Sequence, residues 1–151
     1  MSTEIKKIDI KNLDNIKNLV SKNNLVFKNI TDLDQDFGKL LEKEVILRYE
    51  ECEDINIVIE SKINRIILVR CSNINIKING LITGIEIKQC DQIYISNQEQ
   101  QLINSIIVEA SSDINFKLSK TSHLKTVYDV DKISKINIKD YNDKVLVLKN
   151  K

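Results

Sequence analysis

From Ile55 onward, apolar residues stand at alternate positions in short bursts separated by polar corners: Ile55, Ile57 and Ile59; Ile74, Ile76 and Ile78; Ile93 and Ile95; Ile114 and Phe116; Ile136 and Ile138. A period of two marks a strand with one buried face. Between these bursts runs a second series, Ile66 to Val69, Ile85 to Ile87, Ile106 to Val108, Val127 to Val130 and Val145 to Leu148. Strands therefore recur roughly every ten residues, a spacing that fits a sandwich, a meander or a solenoid.

Residue identity breaks the tie. Cys52-Glu53-Asp54-Ile55-Asn56-Ile57, Cys71-Ser72-Asn73-Ile74-Asn75-Ile76 and Cys90-Asp91-Gln92-Ile93-Tyr94-Ile95 follow one another at intervals of 19 residues. Ser111-Ser112-Asp113-Ile114-Asn115-Phe116 comes 21 later, and a fifth copy begins near Ile133, a further 22 on. In an antiparallel array residues one period apart need not be neighbours, whereas in a solenoid they stack. The pattern predicts an all-β fold, a parallel β-helix of two-strand coils of 19 to 22 residues. Stacking places Asn56, Asn75, Asn115 and Asn137 in one outward column, with Tyr94 the exception, and such columns can hydrogen-bond along the stack. Gly80 and Gly84 fall between the two bursts of one coil, where a tight corner is expected. In the second series Ile67, Val69, Ile107 and Tyr128 are expected to face outward beside inward Ile66, Leu68, Ile106 and Val127. That sheet would then be apolar on both faces and need a cover, from the N-terminal segment or from a partner.

Residues 1–44 lack the repeat and are expected to form a partly helical extension or cap, with the β-helix domain over 45–151. Thr31 with Asp34 resembles a capping box, and Leu33, Phe37, Leu40 and Leu41 follow helical spacing, which predicts a helix from Asp32 to Lys43. Leu13, Ile16, Leu19 and Val20 predict another helix, and Leu25 to Phe27 a strand.

Composition agrees with an aliphatic, β-branched core: 42% of residues are hydrophobic but only 5% aromatic, with no Trp, and no Pro interrupts the ladders. Lys and Arg total 23 against 22 Asp and Glu, a net charge of +1, which supplies no field for nucleic acid. Met1 to Asp9 has no apolar core of a signal peptide, and no run approaches the roughly 18 apolar residues of a membrane span. Neither nucleic acid nor membrane is expected as a partner, and a cytoplasmic location is. Cys52, Cys71 and Cys90 are spaced too widely for a zinc site or a disulfide framework and are expected as small buried fillers. His123, in Lys120-Thr121-Ser122-His123, is expected in a solvated loop. Glu53, Asp54, Glu60, Glu86, Asp91, Glu99, Glu109 and Asp113 scatter over different columns and corners, unlike the paired carboxylates of a glycosidase. No catalytic residue, metal site or cofactor is predicted, and the chain is not expected to be an enzyme.

The stretch from Cys71 to Cys90, with Asn73-Ile74-Asn75-Ile76-Lys77-Ile78-Asn79-Gly80 and Ile85-Glu86-Ile87 inside it, resembles the repeat of the C-terminal domain of cyclase-associated proteins. Val45 to Glu60 resembles that domain's opening strands, and the likeness runs from Val45 to Lys149. The resemblance implies a right-handed parallel β-helix that binds monomeric actin, preferring the ADP form, promotes its nucleotide exchange, associates with the cytoskeleton and forms a homodimer through an exchanged C-terminal hairpin. Two departures stand out. The family's Gly-Lys reads Gly80-Leu81, and Lys149-Asn150-Lys151 stand where the family continues into a Lys-Ser-Ser segment. With actin as partner, the expected contact residues are Asn56, Asn75, Lys77, Asn79 and Asn115 on the first sheet and Glu86 and Lys88 on the other. Two other readings compete: a structural module that polymerises through its coil ends, and a GTPase activator of the tubulin-cofactor-C type. The second needs an arginine finger, yet Gln98-Glu99-Gln100-Gln101 carries no Arg, leaving Arg70 as the candidate.

Overall fold

The structure, a computed structural model, describes residues 23–97 and 101–147. Two six-stranded parallel sheets face each other. Sheet I contains, in spatial order, β1 (Asn24–Lys28), β3 (Ile46–Glu50), β5 (Lys62–Val69), β7 (Gly80–Lys88), β9 (Ser105–Glu109) and β11 (Val127–Val130). Sheet II contains β2 (Thr31–Gly38), β4 (Glu53–Ile59), β6 (Ser72–Ile78), β8 (Asp91–Asn97), β10 (Ser112–Lys117) and β12 (Ile136–Lys139). The chain alternates between the sheets, so each coil lays one strand on each. This is the expected β-solenoid. Inward Ile55, Ile57, Ile74, Ile76, Ile93, Ile95, Ile114 and Phe116 from sheet II meet Leu47, Ile66, Leu68, Ile85, Ile87, Ile106 and Val108 from sheet I, all buried. At the N-terminal end Phe27 stacks on Tyr49, ring centroids 5.0 Å apart.

The coils begin earlier than the repeat reveals. Leu25 to Phe27 is a strand as expected, but the helix predicted from Asp32 to Lys43 is not formed: Thr31–Gly38 is β2, with Leu33, Gln35 and Phe37 inward and Asp32, Asp34 and Asp36 exposed. Leu33 and Phe37 are compatible with either period, and parallel pairing of β2 with β4 (Leu33↔Ile55, Gln35↔Ile57) decides between them. Strand pairing therefore starts ahead of Val45, the expected domain boundary. The helix expected around Leu13 to Val20 lies outside the described residues.

Three other expectations need correction. Val145 to Leu148 was expected to add to sheet I. Instead, a tight turn at Asp140 to Lys144, with Asp143 at φ 62°, reverses the chain, Val145 bridges antiparallel to Lys139, and the Leu146 N–H bonds the Ile138 carbonyl at 2.8 Å; Leu148 itself lies outside the described residues. In β11 the faces are exchanged: Val127 is exposed and Tyr128, paired with Ile106, is buried. The outer face of sheet I is also less apolar than expected. Ile67 and Ile107 are half-buried in a column with Arg48 and Glu86, and Val69 is buried. Arg65 and Lys88 both pair with Glu86, at 2.9 and 3.9 Å, so charged stems flank the apolar positions.

The corners leading from sheet I to sheet II share one geometry. Asn29, Glu51, Arg70, Gln89 and Ala110 have φ between 50° and 56°, and Asp32, Asp54, Asn73, Gln92 and Asp113, three residues on, have φ between 54° and 58°. Two left-handed residues bracket each turn, and Asp or Asn fills most of the second positions because their short polar side chains tolerate that conformation. Between the bracketing residues sits the repeat's signature position: Ile30, Cys52, Cys71, Cys90 and Ser111. Such a corner takes backbone groups out of the ladder, and they must be bonded elsewhere. The Cys52, Cys71 and Cys90 thiols donate to the carbonyls of Glu50, Val69 and Lys88 at 3.3 to 3.4 Å, and the Ser111 hydroxyl to Glu109 at 2.8 Å. In turn the Cys71 N–H bonds Cys90 Sγ (3.4 Å), the Cys90 N–H bonds Ser111 Oγ (3.0 Å), and the Ser111 N–H bonds Ser134 Oγ (3.1 Å). The cysteines are free and buried as expected, but they also form a hydrogen-bonded column. The hydrogen bond with Cys71, together with burial, holds the Cys52 thiol well above its usual pKa.

Gly84 is not at a corner but inside β7, at φ 143°, where the register with β5 slips between Ile63 and Arg65. A Cβ there would lie 2.1 Å from the Ser105 carbonyl oxygen. Gly80 opens β7, so the corner itself shrinks to Asn79. We expect Gly84→Ala to cost about 1–3 kcal/mol or more in urea unfolding, since both the backbone and the β9 approach must yield. Cys71→Ser, which keeps a donor and an acceptor, should destabilise less than Cys71→Val, which abolishes both; the reverse order would show that the column acts by apolar filling alone.

Candidate functional site

Alternation in the sheet II strands projects three rows of side chains from its outer face. The central row contains the predicted column and extends it by Asp34, which was expected in a helix: Asp34, Asn56, Asn75, Tyr94, Asn115 and Asn137 are in register across all six strands. A second row runs Asp36, Val58, Lys77, Ser96, Lys117 and Lys139. The third lies at the corner side: Asp32, Asp54, Asn73, Gln92 and Asp113 each precede an inward Leu or Ile, and Lys135 precedes Ile136.

Hydrogen bonding along the stack occurs where an acid meets an amide. Asn56 Nδ2 donates to Asp34 (2.9 Å) and Asn73 Nδ2 to Asp54 (2.5 Å), while Asn115 turns to Asp113 on its own strand (2.9 Å). Asn79, at the β6–β7 corner, reaches back to the Glu60 carbonyl at 3.2 Å. Asn56, Asn75, Lys77 and Asn115 therefore share one surface, and Asn79 lies at its edge. Glu86 and Lys88 do not join them: they project from the outer face of sheet I, across the core.

The face is unevenly charged. Asp32, Asp34, Asp36 and Asp54 occupy its first two strands, whereas Lys117 and Lys139 lie on its last two and Lys135 just ahead of β12, with Asp113 on β10 and Asp143, paired with Lys117 at 3.7 Å, as the acids at that end. Shallow clefts of about 210 to 310 Å³ open along it: one lined by Asp34, Asn56, Asn75 and Lys77, another by Tyr94, Asn115, Asn137 and Lys139. These are recesses of a flat surface, with no convergence of titratable groups as in an active site. Among the described residues no group of His, Cys, Asp and Glu is placed to hold a metal ion, and no helix is long and apolar enough to cross a membrane. Arg70, the candidate finger, occupies a left-handed corner and pairs with Glu51 at 3.5 Å; Gln98 to Gln100 lie outside the described residues.

His123 is the clearest miss. It is not solvated but 5% exposed, in a short helix α1 (Lys120–Lys125) capped by Ser119. Its Nε2 lies 2.8 Å from the Val147 carbonyl, which can only accept, so Nε2 carries the proton. Nδ1, 2.6 Å from the Tyr128 hydroxyl, then accepts in the neutral ring. Burial raises the Tyr128 pKa and keeps the phenol a donor. The neighbouring Ser122 hydroxyl donates to the Gln101 carbonyl and not to His123, so no nucleophile–base pair forms. No local signal marks this contact, because its partners lie 5 and 24 residues away and the 24-residue one is a backbone carbonyl.

The fold is a parallel β-solenoid whose sheet II presents a broad, regularly spaced polar outer face. A family profile described as adenylate cyclase associated (CAP) C terminal matches residues 39–146. The chain belongs to the cyclase-associated protein C-terminal family. A crystal structure of cyclase-associated protein from Cryptosporidium parvum has the same fold, with a TM-score of 0.69 and 20% sequence identity over 87% of this chain and 82% of that one. No curated protein matches the sequence.

His123→Phe removes both ring hydrogen bonds while keeping the volume filled. We expect a loss of about 1–3 kcal/mol in stability and faster proteolysis at Val145 to Val147, with β4 and β6 amides unchanged in hydrogen exchange.

Proposed function

We propose that this chain binds monomeric actin in the cytoplasm through the outer face of sheet II, regulates actin turnover and nucleotide exchange, and does so without catalysis of its own. Membership of the cyclase-associated protein family over residues 39–146 carries this reading. The face supports it: a broad, polar, regularly spaced surface suits another protein better than a small substrate. An exchange factor needs no reacting group, only different affinities for two nucleotide states of its partner. Asn56, Asn75, Lys77 and Asn115 are the proposed contacts, with Asn79 at the margin; Glu86 and Lys88 would serve a partner that also reaches sheet I.

A structural module polymerising end to end is less well supported, because the Leu146 N–H already occupies the Ile138 carbonyl on the outer edge of β12. A homodimer by exchange of the C-terminal hairpin would have to break that bond and the one from His123 to Val147.

Titration of fluorescent ADP-actin tests the proposal. Saturable binding is expected, weaker for ATP-actin, and Asn75→Asp with Lys77→Glu should weaken it about tenfold, or about 1.4 kcal/mol. Absence of binding at roughly tens of micromolar, about 6–7 kcal/mol, would remove actin as the partner.

A further inference from the structure

The corner thiols stack in a column whose spacing the fold sets. Each sulfur has the same orientation: Cys52, Cys71 and Cys90 Sγ lie 3.4, 3.4 and 3.3 Å from the carbonyl two residues back, and 3.5, 3.4 and 3.5 Å from the carbonyls of Phe27, Tyr49 and Leu68 on the preceding coil. Side chains that repeat their contacts from coil to coil repeat at the coil rise, so neighbouring sulfurs stand about 4.8 Å apart. Their Cβ atoms repeat at the same interval, beyond the roughly 3.5–4.5 Å of a disulfide, and the cysteines are free. Two metal–thiolate bonds of about 2.3 Å laid end to end span about 4.6 Å. A linear, two-coordinate ion therefore fits the gap that a disulfide does not close. Among the described residues no cluster of three or more His, Cys, Asp or Glu could hold an ion of higher coordination, so the fitting ion is a soft one satisfied by two sulfurs.

We propose that Cys71 and Cys90 bind one Cu(I) ion, held linearly between their sulfurs across adjacent coils. In this gap the Cys71 N–H already bonds Cys90 Sγ at 3.4 Å, a contact that favours the thiolate. A hydrogen bond with Cys71 lowers the Cys90 thiol pKa; at Cys71 the lowering bond with Cys52 is outweighed by the bond with Cys90 and by burial, which push its thiol up to about 11. The ion replaces the thiol protons, two protons leaving for solvent and a dithiolate complex of one negative charge remaining. The S–H bonds to the Val69 and Lys88 carbonyls are given up, and the N–H groups of Cys52 and Cys71 face the new charge. Cys71 and Cys90 are 2% and 4% exposed, so the ion enters by opening of the corner and is then shielded from water. Loading is slow, and the seated ion fastens the coil of β5 and β6 to that of β7 and β8. None of this depends on the actin assignment.

Anaerobic loading of the full chain with Cu(I) from a weak complex, followed by removal of loose copper with a chelator, tests the site. One ion retained per chain, two sulfur neighbours in X-ray absorption and a raised melting temperature are expected. Affinity should strengthen by roughly 10- to 100-fold for each pH unit, as one or two protons are released. Ag(I), equally soft, should compete for the site and Zn(II) should not. Cys71→Ser and Cys90→Ser should each weaken retention by more than about tenfold, and Cys52→Ser should leave it unchanged. Serine already fills this corner position at Ser111, so these variants keep the fold, which a metal-free thermal melt verifies. Refolding from urea with Cu(I) present gives the ion access to both thiols. Failure to load even there, copper held equally by all three variants, a Cys52→Ser loss as large as that of Cys90→Ser, or nitrogen ligands in the absorption spectrum would each overturn the proposal.

Discussion

Everything in this molecule depends on how the chain turns from one sheet to the other without leaving buried polar groups unpaired. A parallel solenoid must make that turn once per coil, at the margin of the core, where a lost backbone hydrogen bond is expensive. Here two left-handed residues make the bend, and a small side chain between them, thiol or hydroxyl, donates to the carbonyl two residues back. In successive coils that same atom accepts the N–H of the stacked neighbour. The cysteine spacing and the registry of the strands are thus one fact seen twice: the column aligns the coils, and the aligned coils set Ile on Ile inside and Asn on Asn outside.

The sequence displays this arrangement wherever stacking forces identity. Cys52, Cys71 and Cys90 with their trailing Ile-x-Ile reveal the coil length, the sheet faces and the outer Asn row before any coordinates. It is silent where coils deviate. The first coil has Ile30 in place of a cysteine, and Leu33 and Phe37 satisfy a helical period as well as a strand, so only pairing with β4 reveals β2. At the other end Val145 to Leu148 has the composition of a strand, but the turn at Asp140 to Lys144 sends Val145 and Leu146 back along β12. Tyr128 faces inward because His123 offers its hydroxyl an acceptor, a contact that neither residue announces alone.

The candidate surface was legible for a similar reason and to a similar extent. Outward positions one period apart must share a face, so Asn56, Asn75, Lys77 and Asn115 could be grouped from spacing. Glu86 and Lys88 could not be joined to them, because they belong to strands of the opposite sheet. The gradient from Asp32, Asp34 and Asp36 to Lys117, Lys135 and Lys139 appears only once β2 is recognised as a strand. A net charge of +1 conceals it, since the two ends nearly cancel.

The corner column has a further consequence for how such a chain changes length over evolutionary time. From Cys71 to Ser134 its bonds run from one coil to the next through chemically equivalent atoms, and a serine serves as well as a cysteine at Ser111. Duplicating or deleting one whole 19-residue unit therefore recreates the same junction on both sides and requires no compensating substitution. Loss or gain of part of a unit has no such solution. The protein is built so that the outer face of sheet II grows or shrinks by whole strands, a ruler with one fixed division.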